Sequence, residues 1–225
     1  MSDTESFISE VNDEVRRDRF YFMLRRYGWI AALAVVLIVG GAAFNEYRKA
    51  QAQAKAQAFG DDVLAAMSQD SAEQRLDRLS AIVAQDATTR AVLEMLIASE
   101  AQATGDTAAA IASLEAVAVN GEIPEIYQQI ASFKLLVAQG DTLDAATRRQ
   151  QYEALARPGA PLSLLAQEQL ALIDISQGET EAAIERLQNI VQDAGVSSDL
   201  QQRALQVIVS LGGEPDVANL PVTGN

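Results

Sequence analysis

Two sets of carboxylates, the adjacent pair Asp61-Asp62 and the isolated Asp174, are the residues whose type and placement most invite a chemical reading. Carboxylates can act as general acids and bases or hold metal ions. Neither set has the pattern that such work needs. Asp61-Asp62 lacks the alternating spacing of a calcium loop, and paired acids are common at helix starts. Asp174 sits within "LALIDISQG" (170–178), flanked by Leu172, Ile173 and Ile175. A lone buried carboxylate is costly, so Asp174 is expected on the solvent side of its helix.

The 225 residues include no Cys and no His. That removes the thiolate nucleophile, the disulfide framework and the thiolate metal site. It also removes the commonest general base and any Ser-His-Asp triad. No glycine lies in a strand–Gly-rich–helix context that would cradle phosphate. The expectation is a chain that is not an enzyme, with no catalytic residues, no cofactor and no metal.

The elements around these residues read as all-α. Ala, Leu, Gln, Glu and Arg dominate after residue 46, and all favour helix. Residues 46–225 carry twelve Lys/Arg against twenty-five Asp/Glu, a net charge of −13. So acidic a segment repels nucleic acid and anionic headgroups, so no nucleic-acid partner is expected.

One stretch differs from the rest. Residues 27–45 form a run of nineteen without a formal charge. As a helix this spans about 28 Å, close to the ~30 Å hydrocarbon core of a bilayer. Its eight strongly apolar side chains favour insertion by about 2.5–5 kcal/mol. Two readings compete. Gly41-Ala42-Ala43 suits a signal-peptide cleavage site. The 26 residues ahead of the run, however, carry six acids, unlike a short basic leader, and favour a retained anchor. Five Arg precede the run, including Arg25 and Arg26, against three basic residues soon after it. This bias puts the N-terminus in the cytoplasm and the acidic part across the inner membrane, in the periplasm. Trp29 and Tyr47 suit the two interfacial belts. Ahead of the run, Phe7, Ile8, Val11, Val15 and Phe22 suggest an amphipathic arm.

Glycines punctuate the remainder. Gly105, Gly140 and Gly178 are 35 and 38 residues apart, and Gly121, Gly159 and Gly195 interleave with them. The spacing predicts paired helices of a repeat, and a period near 34 residues is that of the tetratricopeptide repeat (TPR). "ATGDTAAAIASLEAV" (103–117) aligns with "SQGETEAAIERLQNI" (176–190). In the first unit Gly105 is followed by Ala110, Leu114 and Val117; in the third, Gly178 is followed by Ala183, Leu187 and Ile190. Ala permits close helix approach, and Leu with Val or Ile fills the seam. The middle unit keeps Gly140 and Ala145 but places Arg149 where an apolar residue is expected. Helices are expected at 71–85, 87–104, 106–120, 123–139, 141–156, 161–177, 179–194 and 197–211. Pro124 and Pro161 suit first turns. Ser71 with Gln74, and Ser198 with Gln201, resemble capping boxes. Tyr127 and Phe133 fall on the apolar stripe of their helix and are expected in the core.

The expected organisation is a cytoplasmic arm (1–26), a transmembrane helix (27–45), a TPR-like helical-repeat solenoid (46–211) and a disordered tail (212–225). The repeats around Gly105 and Gly178 resemble the G-x-x-x-x-A core of the TPR motif. The whole arrangement resembles the YfgM-like family of bacterial inner-membrane proteins. That resemblance implies a non-enzymatic, ancillary subunit of the SecYEG translocon. It implies a PpiD-like membrane-anchored chaperone as neighbour and secreted proteins as the traffic served. The alternative is a periplasmic TPR scaffold for envelope assembly or division, as in CpoB-like proteins. No partner-binding residue is assigned from sequence.

Overall fold

The computed structural model describes residues 3–216, with side chains described over 25–216 apart from Tyr27, Ala31, Ala32 and Asp141. Every regular element among the described residues is helical. The order is α1 (Asp3–Met67), α2 (Ala72–Ser80), α3 (Ala87–Ala103), α4 (Thr107–Ala118), α5 (Glu125–Gln139), α6 (Ala145–Leu155), α7 (Ser163–Ser176), α8 (Thr180–Gln192) and α9 (Ser198–Ser210). A 3₁₀ turn, Gly140–Thr142, lies between α5 and α6.

The chain divides into two compact units, one up to Asp61 and one from Asp62 onward. Among the described residues the first unit is α1 up to Asp61, and the last residues of that helix, to Met67, belong to the second. Helix α1 continues without interruption through residues 26 and 45, where sequence patterning marks changes of environment. From Gly28 it is long and apolar enough to cross a membrane, and none of its most apolar window is buried. Leu33, Val36 and Ile38 are 49, 65 and 71% exposed. The apolar residues expected on the N-terminal arm, Phe7 to Phe22, lie outside the described side chains.

In the second unit each helix packs chiefly on its neighbours in sequence. The core is correspondingly serial. A first cluster joins Ala91 and Ala98 of α3, Leu114 and Val117 of α4, and Ala131 of α5. A second joins Leu136 of α5, Tyr152 of α6, and Leu170 and Ile173 of α7. A third joins Ala171 of α7, Leu187 and Ile190 of α8, and Leu200 and Ile208 of α9. Helices α5 and α7 each serve two clusters, so no single centre organises the unit.

Local chemistry sets where the helices start and stop. Gly105 and Gly178 adopt φ of +84° and +78°, a region that L side chains enter only with strain. The next N–H reaches back five residues in both cases, Asp106 N to Ala101 O and Glu179 N to Asp174 O, at 2.9 Å. This closure satisfies helix-end carbonyls and reverses the chain in one step. Asp106 then caps α4, its carboxylate accepting from Ala109 N at 3.0 Å. Counting from the residue after each glycine, Ala110, Leu114 and Val117 match Ala183, Leu187 and Ile190, and all six are buried.

The middle unit departs from this register. The 3₁₀ turn opens at Gly140, and α6 starts only after Asp144, which accepts from Thr147 N at 2.9 Å and Thr147 Oγ1 at 2.7 Å. Ala145 is therefore the half-buried first residue of α6, not the counterpart of Ala110. Counted from the cap, Tyr152 takes the place of Leu114 and Leu187. It is buried, meets Phe133 edge-to-face at 5.8 Å, and burial pushes its hydroxyl pKa up to about 12. Tyr127 packs on the first cluster and Phe133 on the second, as expected for core residues.

Other boundaries shift for similar reasons. Ser71 accepts from Gln74 N at 3.3 Å, as the capping pattern predicts. At α9 the cap is Ser197, not Ser198, and Gln201 donates instead to Val191 O at 3.1 Å. Pro124 is the residue before α5, and Pro161 lies in the turn ahead of α7, so neither occupies a first helical turn. Residues 212–216, expected to be disordered, are anchored. Gly213 N bonds Ile208 O, and Gln188 and Gln192 donate to Glu214 O and Asp216 Oδ2. The remaining tail residues, 217–225, lie outside the described residues.

Asp86 and Asp144 cap with ionised carboxylates. Hydrogen bonds from the Thr89 and Thr147 hydroxyls, then from their N–H groups, hold these carboxyls below the ordinary range. Their contribution is present above the ordinary carboxylate pKa and is lost as pH falls through the lowered value. For the turns, Gly178→Ala should cost about 1–2 kcal/mol in urea unfolding, the penalty of a left-handed L residue. Gly121→Ala has no positive φ and open space around it, so it should change stability by less than ~0.5 kcal/mol.

Candidate functional site

The sequence-predicted repeat residues form the frame of the second unit. Gly105, Gly140 and Gly178 are turn residues with positive φ, while Ala110, Leu114, Val117, Ala183, Leu187 and Ile190 fill seams. None of these seam side chains is presented to solvent. The anchor residues lie on α1. Arg25 and Arg26 are exposed, Trp29 is 66% exposed, and exposed Tyr47 accepts from Gln51 Nε2 at 3.0 Å. Asp61 and Asp62 are exposed mid-helix residues, not helix-start caps, and no His/Cys/Asp/Glu group among the described residues could hold a metal ion.

Asp174 overturns its expectation. It is fully buried rather than solvent-facing. Its Oδ1 accepts from Arg149 Nη1 at 2.5 Å and its Oδ2 from Arg186 Nε at 2.9 Å. Two charge-assisted bonds thus replace the water that a buried carboxylate would lose. Arg149, the apparent flaw in the middle repeat, is the partner that makes this burial tolerable. Its second amino group, Nη2, donates to Glu179 Oε2 at 2.9 Å. Both carboxylates push the Arg149 guanidinium above its ordinary pKa, with Asp174 the larger cause. Arg186 continues the network, donating from Nη1 to Gln167 Oε1 at 2.7 Å. One buried carboxylate therefore ties α6, α7 and α8 together.

A related pair joins α2 to α3. Arg75 Nε donates to Glu100 Oε2 at 2.8 Å, and Glu100 is 7% exposed. Like Arg149 and Asp174, these residues are 25 positions apart. At the far end a two-pronged pair, Arg203 with Glu168, ties α9 to α7 at 2.8 and 3.0 Å.

Beside the Asp174 network lies a groove of about 570 Å³. Its walls are the turn at Pro158 and Gly159, the start of α7 (Ser163, Leu164, Gln167), and one face of α8 from Ala182 through Arg186 to Asn189, with Asp193 just past the end of that helix. A smaller groove of about 440 Å³ shares Gly159, Ser163, Leu164 and Asp193 with it. The lining offers amides, carboxylates, short apolar surfaces and an arginine already engaged by Asp174. Such groups bind reversibly through hydrogen bonds and ion pairs. Sequence reasoning did not find this groove. The one available signal was the pairing of two local anomalies, a cation in an apolar seam and a carboxylate in an apolar run.

Asp174→Leu should destabilise by about 3–5 kcal/mol, because two guanidiniums lose their buried partner. Replacing the network together, Arg149→Met with Asp174→Leu and Arg186→Met, should recover most of that loss. Urea unfolding of the single and triple variants measures both effects. Compared with family models, curated proteins and solved structures, the chain matches none.

Proposed function

We propose that this protein is a membrane-anchored, TPR-like protein-interaction module. The observation that carries the reading is α1: its apolar stretch is uncovered, and the same helix runs on to Met67, past the start of the acidic helical unit at Asp62. Exposed apolar side chains along some 28 Å of helix are unfavourable in water and favourable in lipid. The serial core of α2–α9 supports the solenoid part of the reading. In such arrays each element stabilises its neighbours and leaves extended surfaces free. Lys/Arg bias places the N-terminus in the cytoplasm and the array in the periplasm of the inner membrane.

Within that reading, resemblance to the YfgM-like family supports an ancillary role at the SecYEG translocon beside a PpiD-like chaperone. The array would receive secreted chains at the channel exit. Tethering raises its effective concentration at membrane partners toward millimolar when the span is short. The role is non-enzymatic.

Two experiments test this. Alkaline extraction should leave the wild-type chain in the membrane pellet. Val36→Arg combined with Ile38→Arg shifts insertion by about 6–8 kcal/mol, enough to cancel the apolar gain and release the chain. Release of the wild type would contradict the anchor. A photo-crosslinker installed at Ala52 should capture translocon or chaperone components. Capture of division proteins instead would move the function to an envelope scaffold.

A further inference from the structure

We propose that the groove between α7 and α8 receives an extended polypeptide segment bearing Lys or Arg beside small apolar side chains. The inference rests on the interaction-module reading and names the partner chemistry of one surface within it. From Ala182 to Asp193, just past the end of α8, this wall is about 16 Å long, which matches about five residues of extended chain. The groove volume of about 570 Å³ is ample for their side chains. Leu164 and Pro158 supply apolar wall, and exposed Asn189 presents an amide that can both donate to and accept from a peptide backbone.

Charge decides the occupant. Glu185 and Asp193 are exposed groove carboxylates. Arg186, the one cation among the described lining residues, does not offset them. Its Nε is held by fully buried Asp174, and Asp174 with Glu179 gives two carboxylates to the two guanidiniums of Arg149 and Arg186, so its charge is matched from behind the wall. An entering segment therefore meets two carboxylates whose charge the wall does not match. The net charge of −13 over residues 46–225 extends the same preference beyond the groove and steers cationic chains toward it.

The test uses the full chain in phosphatidylcholine nanodiscs, which present no anionic lipid to a cationic peptide. Isothermal titration calorimetry compares two ten-residue peptides of Ala and Leu, one with two Lys and one with two Glu. The Lys peptide should bind at least tenfold more tightly, with a margin that shrinks as salt rises. Glu185→Lys combined with Asp193→Asn keeps an acceptor for the Gly195 N–H and should abolish the preference. Ala182→Trp fills the groove from an exposed position and should abolish binding while circular dichroism stays helical. Equal binding of the two peptides, or Lys-peptide binding that survives Ala182→Trp, overturns the proposal. If neither peptide binds while the Ala52 crosslinks persist, the groove assignment fails and the anchored-module reading stands.

Discussion

A carboxylate with no access to water holds the C-terminal half of the helical unit together. Arg149 reaches Asp174 from α6 and Arg186 from α8, and their hydrogen bonds offset the cost of burying the carboxylate. The arrangement resists sliding of any of the three helices, since each has a charged group fixed in position by the others. Helix α7 also contributes Leu170 and Ile173 to one core cluster and Ala171 to the next. Apolar packing and the ion network thus converge on the same helix. A serial stack has no common centre, so its rigidity depends on such joints between neighbours.

That joint also explains the groove. Arg186 is a groove residue whose orientation is set by Asp174 and Gln167 rather than by solvent. The wall of the groove is therefore built by the same contacts that lock α7 to α8. The Arg75–Glu100 pair does a similar job between α2 and α3. Stability and surface shape share residues in this molecule, which limits how freely either can change.

The parts of the fold legible in the sequence were those fixed by local chemistry. Gly105 and Gly178 sit where left-handed turns close helices. Seam residues follow at the same intervals, so Ala110, Leu114 and Val117 read correctly as core, as do Ala183, Leu187 and Ile190. The middle unit misled because Gly140 opens a 3₁₀ turn, which moves the start of α6 by three residues. Fixed spacing from a glycine cannot register that insertion, whereas Asp144 with Thr147 marks the true cap. Asp174 misled for another reason. Periodicity reports the neighbours along a helix, and the partners that stabilise this carboxylate lie 25 residues before it in α6 and 12 residues after it in α8.

The apolar stretch of α1 decides where all of this operates. If it remains attached, the acidic helical unit stays on the same chain as a helix long and apolar enough to cross a membrane. If it is removed at its small-residue patch, the same unit is released. Intact-mass measurement of the membrane-extracted native protein distinguishes these directly. A retained anchor gives a mass that includes residues 2–45, whether or not Met1 is retained. A mature species starting near Phe44 would contradict it.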